Sequence, residues 1–174
     1  RLVYGVGTRL ITSHGDAALD GVYKLTALRR DGAWVPVIKV SENPAKTPNP
    51  GHKGVWRLYD TRGIATADLV GLAEECPQDW ETLVLRHPLE PTTQRALRRE
   101  DVSQIEPLLV PVLDAGRRVG EAPTLEAMRA LRRADVARLD AGVKRLIRPH
   151  IYHVSLTPAL WDLKQSLVRQ AKGG

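Results

Sequence analysis

Val55-Trp56-Arg57-Leu58-Tyr59-Asp60 and Ile64-Ala65-Thr66-Ala67-Asp68-Leu69-Val70 are two short runs joined by a turn at Arg62-Gly63. β-Branched and aromatic residues recur in them, and a glycine turn separates them, which is how paired strands read. Upstream, Val22-Tyr23-Lys24-Leu25-Thr26-Ala27-Leu28 alternates, Asp31-Gly32 is a hairpin turn, and Trp34 to Val40 is the return strand. Pro36 cannot donate to a ladder, so that return belongs at an edge. Together these strands predict an antiparallel meander or small barrel.

Ser41 to Gly54 separates the two pairs and holds three prolines and two glycines, so it reads as a long, stiffened loop. Downstream, Glu81-Thr82-Leu83-Val84-Leu85-Arg86 reads as a further strand, followed by a proline-punctuated loop reaching Asp101. Leu108 to Leu113 is apolar, and a turn with a short return follows at Asp114 to Val119. The end is helical. Thr124 is a plausible cap, and Leu125, Met128, Leu131, Val136, Leu139, Val143 and Leu146 form an amphipathic stripe that Arg148-Pro149 breaks. Thr157-Pro158 starts a last helix whose buried face is Leu160, Leu163 and Leu167 with Trp161.

The chain has 174 residues, 43% hydrophobic and 26% charged, which suits about one globular domain. It has no Phe, so the core rests on Leu, Val, Ile and four Trp. Cys76 is the single cysteine, which excludes a disulfide framework and a multi-cysteine metal site and agrees with a reducing, cytoplasmic compartment. No stretch approaches the ~20 apolar residues of a membrane span. The net charge is +6 and the pI near 9.8. That balance admits nucleic acid or phosphorylated metabolites as partners, but the arginines come as dispersed pairs and read first as solvated surface. The first residue is Arg and the only methionine is Met128. With Leu2-Val3-Tyr4 reading as a buried strand that has no partner of its own, this favours a fragment of a longer chain.

Two constellations could carry chemistry. In Gly5-Val6-Gly7-Thr8 the glycines would let an oxyanion approach backbone amides, and Thr8 adds a hydroxyl donor. A plain tight turn is the first reading of this pattern and a ligand site the second. The loop with Lys39, Ser41, Asn43 and Lys46 could meet a substrate or a neighbouring subunit. Self-packing is its first reading, with Asn43-Pro44 starting a turn.

In chain order, GVGTRLITS (residues 5–13), Gly21-Val22-Tyr23-Lys24-Leu25, Ile38 to Thr47, Pro50-Gly51, Trp56 to Asp60, and Tyr152 to Pro158 with Leu160, Trp161, Leu163 and Lys164 resemble bacterial and plant-type nicotinate phosphoribosyltransferases. The resemblance spans nearly the whole chain. It implies an enzyme that joins nicotinate to 5-phosphoribosyl 1-diphosphate, giving nicotinate mononucleotide and diphosphate. It also implies coupling to ATP hydrolysis through a phosphorylated histidine, with Mg as the metal and no tightly bound cofactor. The implied fold is α/β, and α+β within this chain. Residues 1–20 would end an irregular α/β barrel, 21–122 would form a small antiparallel β domain, and 123–174 a C-terminal helical segment. Homodimers with active sites near the subunit interface are implied, with no nucleic acid and no membrane as partner.

On this resemblance Gly5, Gly7 and Thr8 match the turn near the ribose 5-phosphate. The phosphorylated histidine lies upstream in the family, and none of His14, His52, His87, His150 or His153 matches it. His153 reads as a capping or packing residue before the last helix. Asp16 and Asp20 are loop carboxylates, and no metal site is expected. Two other classes compete: an inert fragment that needs the missing N-terminal part, and a basic nucleic-acid-binding β domain.

Overall fold

The computed structural model describes residues 2–5, 7 and 21–173. Their elements are β1 (Ala27–Arg30), β2 (Ala33–Pro36), β3 (Lys53–Asp60), β4 (Ala65–Leu72), β5 (Thr82–Arg86), β6 (Gln94–Arg98), β7 (Val102–Pro107), β8 (Leu113–Asp114), β9 (Arg117–Arg118), α1 (Leu125–Ala137), β10 (His153–Leu156) and α2 (Pro158–Gly173). The main sheet has six strands in the order β6-β5-β10-β4-β3-β7. It is mixed, because β10 runs parallel to β4 while the other pairs are antiparallel. The pairs within residues 27–107 are antiparallel, as expected, but they do not form one meander: β1 and β2 make a separate sheet, and the parallel neighbour β10 comes from residues 153–156. The sheet curls into a half-barrel, and with two helices the described chain is an α/β structure.

The β3–β4 hairpin forms where the sequence places it. β4 alternates strictly: Ala65, Ala67, Leu69 and Gly71 are buried, and Thr66, Asp68, Val70 and Leu72 are half-buried. Leu58, Ala67, Leu69, Leu83, Leu85, Leu97 and Val102 make one core cluster, with Trp80 and Ile105 packed against it. A register shift between Leu58 and Tyr59 buries both of these neighbours. Thr157 caps α2: its Oγ1 accepts from Leu160 N at 3.2 Å and donates to Glu75 Oε2 at 2.7 Å. Glu75 Oε2 also accepts from Leu72 N, so the end of β4 and the start of α2 share one carboxylate.

Several elements depart from expectation. The strand expected over 22–28 covers only Ala27–Arg30, and its partner is Ala33–Pro36; Pro36 faces Ala27 at a pair that needs no N–H from it, and Val37 N donates to Thr26 O at 2.8 Å just beyond. These two strands form a sheet of their own, turned at Asp31 and Gly32, both at positive φ. The segment read as loop to Asp101 contains β6, and β7 follows it. β6 is exposed at four of five positions, so its sequence carries no apolar alternation to read. Helix α1 ends at Ala137, short of Leu146. There Arg138 is drawn to the sheet: its guanidinium stacks on the Tyr59 ring at 3.4 Å and donates to Gln104 Oε1 at 2.8 Å. None of α1 is buried, and Leu125, Met128 and Leu131 face outward. Tyr152-His153-Val154-Ser155-Leu156, expected only to lead into a helix, supplies the central strand β10.

Leu2, Val3 and Tyr4, expected to be a buried strand, form no strand and are exposed. Among the described residues no helix is long and apolar enough to cross a membrane.

Candidate anion-binding loop

The loop between β2 and β3 is ordered by its own side chains. Asn43 Oδ1 accepts from Ala45 N at 3.0 Å and caps a single 3-10 turn over Pro44–Lys46. Ser41 N donates to Thr47 Oγ1 at 3.2 Å, and Thr47 is buried. Asn43 thus starts a turn, and Thr47 rather than Ser41 supplies the side-chain oxygen that satisfies the loop's backbone. Lys24 Nζ donates to Lys46 O at 2.8 Å and fastens the loop to the segment before β1. Lys39 and Lys46 are exposed.

Two further lysines flank this loop. Lys53 Nζ donates to Gly51 O at 2.7 Å and Thr26 Oγ1 at 3.0 Å. On the other side Lys164, 6% exposed, donates to Asn49 Oδ1 at 2.9 Å. All these acceptors are neutral oxygens. Burial pushes both amines below the ordinary lysine range, because desolvation disfavours the ammonium. Among the described residues every ion pair is made by an arginine and none by a lysine. Around the loop, Lys24, Lys53 and Lys164 therefore donate only to neutral oxygens, and among the described residues no carboxylate lies within ion-pair distance of them. Beside Lys53, Trp34 and His52 stack with ring centroids 4.4 Å apart.

The residues singled out in the sequence are divided by the structure. It brings Ser41 and Thr47 into one groove with Lys164, and Lys46 to Lys24, while Lys39 stands apart. Gly5 and Gly7 are exposed, and a Cβ at either would meet nothing within 4 Å. Thr8, His14, Asp16 and Asp20 lie outside the described residues, as does Val6 between the two glycines. His153 is a strand residue rather than a cap, and it lines a small pocket with His87 and Arg95. His87 Nδ1 accepts from Leu89 N and Glu90 N, a local turn role. No group of three or more His, Cys, Asp or Glu able to hold a metal ion occurs among the described residues. Sequence reasoning missed Lys53 and gave Lys164 no role. Lys164 was legible as a polar residue set among Leu160, Leu163 and Leu167, on the face that packs.

Residues 52–164 match the family model described as nicotinate phosphoribosyltransferase C-terminal domain. The chain belongs to the nicotinate phosphoribosyltransferase family. A nicotinate phosphoribosyltransferase from Bacillus subtilis is 29% identical over 171 residues, covering 98% of this chain and 34% of that protein. The human nicotinate phosphoribosyltransferase is 36% identical over 168 residues, covering 95% of this chain and 29% of that protein. In three dimensions the chain is similar to the crystal structure of human nicotinic acid phosphoribosyltransferase, with a TM-score of 0.60 and 31% identity over 68% of this chain and 23% of that one. The chain spans about a third of the length of these phosphoribosyltransferases.

Proposed function

We propose that this chain supplies the C-terminal part of an enzyme that joins nicotinate to 5-phosphoribosyl 1-diphosphate, forming nicotinate mononucleotide and diphosphate with ATP hydrolysis. The family match over residues 52–164 carries the proposal. The unneutralised lysines around the 41–53 loop support it, since both the sugar substrate and the departing diphosphate are polyanions. In such a reaction the protein's work is positioning and charge stabilisation. When diphosphate leaves, positive character grows at the anomeric carbon and negative charge on the leaving group. Lys46 and Lys53 are suited to hold that negative charge, while Asn43 and Thr47 keep the loop in shape.

Gly5, Gly7 and Thr8 are proposed to hold the 5-phosphate still while the sugar carbon moves, as the end of a barrel formed by residues 1–20. The 21–122 and 123–174 portions would complete the second domain. The described residues hold no carboxylate cluster suited to Mg, and we assign them no metal step. ATP is taken as a co-substrate, the working form as a homodimer with the loop near the subunit interface, and the compartment as the cytoplasm.

The test is nicotinate-dependent diphosphate release, with and without ATP, by this chain alone and by this chain joined to the N-terminal part of the Bacillus subtilis relative. The joined protein is expected to turn over, and the chain alone to be inert. A folded joined protein that releases no diphosphate would overturn the reading. In that protein Gly7→Val is expected to raise the KM for the sugar diphosphate at least tenfold, and an unchanged KM removes the glycine turn from the site.

A further inference from the structure

A groove of about 660 Å³ runs between the 40–47 loop, the 88–91 turn and α2. Ser41, Glu42, Thr47, Lys164, Gln165 and Lys172 supply its polar lining, and Pro88, Leu89 and Pro91 its apolar wall. Its size is that of pockets that take small organic ligands.

Lys164 is the unusual member. A lysine on a packed helix face normally extends its stem and leaves its amine in water. Here the residue is almost wholly buried and its amine has one neutral partner, Asn49 Oδ1, for three N–H donors. No carboxylate lies within ion-pair distance among the described residues. Glu42 lines the same groove, but with Lys172 also present the lining stays cationic. Burying a positive charge without an opposite one is costly, so an anion that reached this amine would relieve that cost. Burial also lowers the amine's pKa, which an anion would reverse.

We propose that this groove binds a phosphorylated small molecule, its phosphoryl oxygens seated on the Lys164 ammonium and its organic body against the Pro88–Pro91 wall. Lys172 at the exposed end of α2 adds a second charge, and the Ser41 hydroxyl and Gln165 amide add donors. The inference needs only this chain's own charges and holds whether or not the chain takes part in phosphoribosyl transfer.

Inorganic diphosphate is the probe, titrated into the 174-residue chain at constant ionic strength with sulfate as the control. Saturable movement of the Thr47, Gln165 and Val168 backbone amide resonances is expected with diphosphate. Asn49→Asp sets a carboxylate beside Lys164 and is expected to weaken that response at least tenfold while leaving the fold intact. Lys172→Ala is expected to weaken it severalfold. If Lys164 only anchors the loop, Asn49→Asp will leave the diphosphate response unchanged. That outcome, or shifts that track ionic strength without saturating, would sink the proposal.

Discussion

At Gly51 the backbone turns at φ 89°, and an added Cβ would lie 2.9 Å from Leu72 Cδ2 and 3.6 Å from Leu163 Cδ2. A side chain there is strained by its φ and crowded by Leu72. Gly51→Ala is therefore expected to destabilise the chain by ~1–3 kcal/mol, read as a lower urea midpoint. Tyr59 offers a pH readout. Burial, then its hydrogen bond to Glu106, pushes its phenol up to about 12. The unfolded chain releases that proton from pH ~10, so stability falls between about pH 10 and 12, by at most ~1.4 kcal/mol per pH unit. Tyr59→Phe is expected to flatten that fall. Lys164 has the opposite sign. Its amine titrates below the unfolded value of ~10.4, so the folded state binds fewer protons and stability rises as pH climbs toward that value. Lys53 contributes a rise of the same sign, so Lys164→Met should reduce the rise rather than abolish it, and urea titrations across this range, on this variant and on Tyr59→Phe, separate the lysine from the tyrosine.

The helix cap and the central strand show what elements the sequence could and could not disclose. Thr157-Pro158 announced α2 because an N-cap hydroxyl and a first-turn proline are local signals, and the cap is present with its bond to Leu160 N. Thr157→Ala also strips a donor from Glu75, so ~1–2 kcal/mol of stability should be lost in thermal or urea unfolding. Asp31-Gly32 was equally local and equally plain. β10 was hidden because four residues, His-Val-Ser-Leu, become a strand only through β4 and β5 on either side of them. The amphipathic stripe of α1 misled in the other direction. Its apolar face is real, but within the described chain nothing covers it, and the helix ends where the backbone joins β4: Arg138 O accepts from Ala65 N at 2.8 Å and Leu139 bridges Ala65. For the candidate site, the loop and its residues were visible in the sequence. The unpaired state of its lysines was not, because charge neutralisation depends on which side chains meet in space.

At the scale of the molecule, the sheet takes strands from segments far apart in sequence. β3 and β4 lie together, β5 and β6 lie together, and β10 is hydrogen-bonded between the two pairs. The helix that follows it packs against β4 and β5. Removing residues 150–174 should therefore abolish cooperative unfolding rather than trim an end, because both hairpins would lose a shared neighbour and the buried Leu156 and Leu160. A sharp denaturation transition surviving that deletion would contradict this account of the core.

The late position of β10 also bears on how the chain is made. On the ribosome the β3–β4 and β5–β6 hairpins emerge long before the strand that bridges them, so each carries an open inner edge through most of synthesis. Open edges are templates for pairing with another chain. Until Leu156 has emerged, a second nascent copy can occupy the same slot, which makes crowded translation the stage at which this protein is most exposed to mispairing.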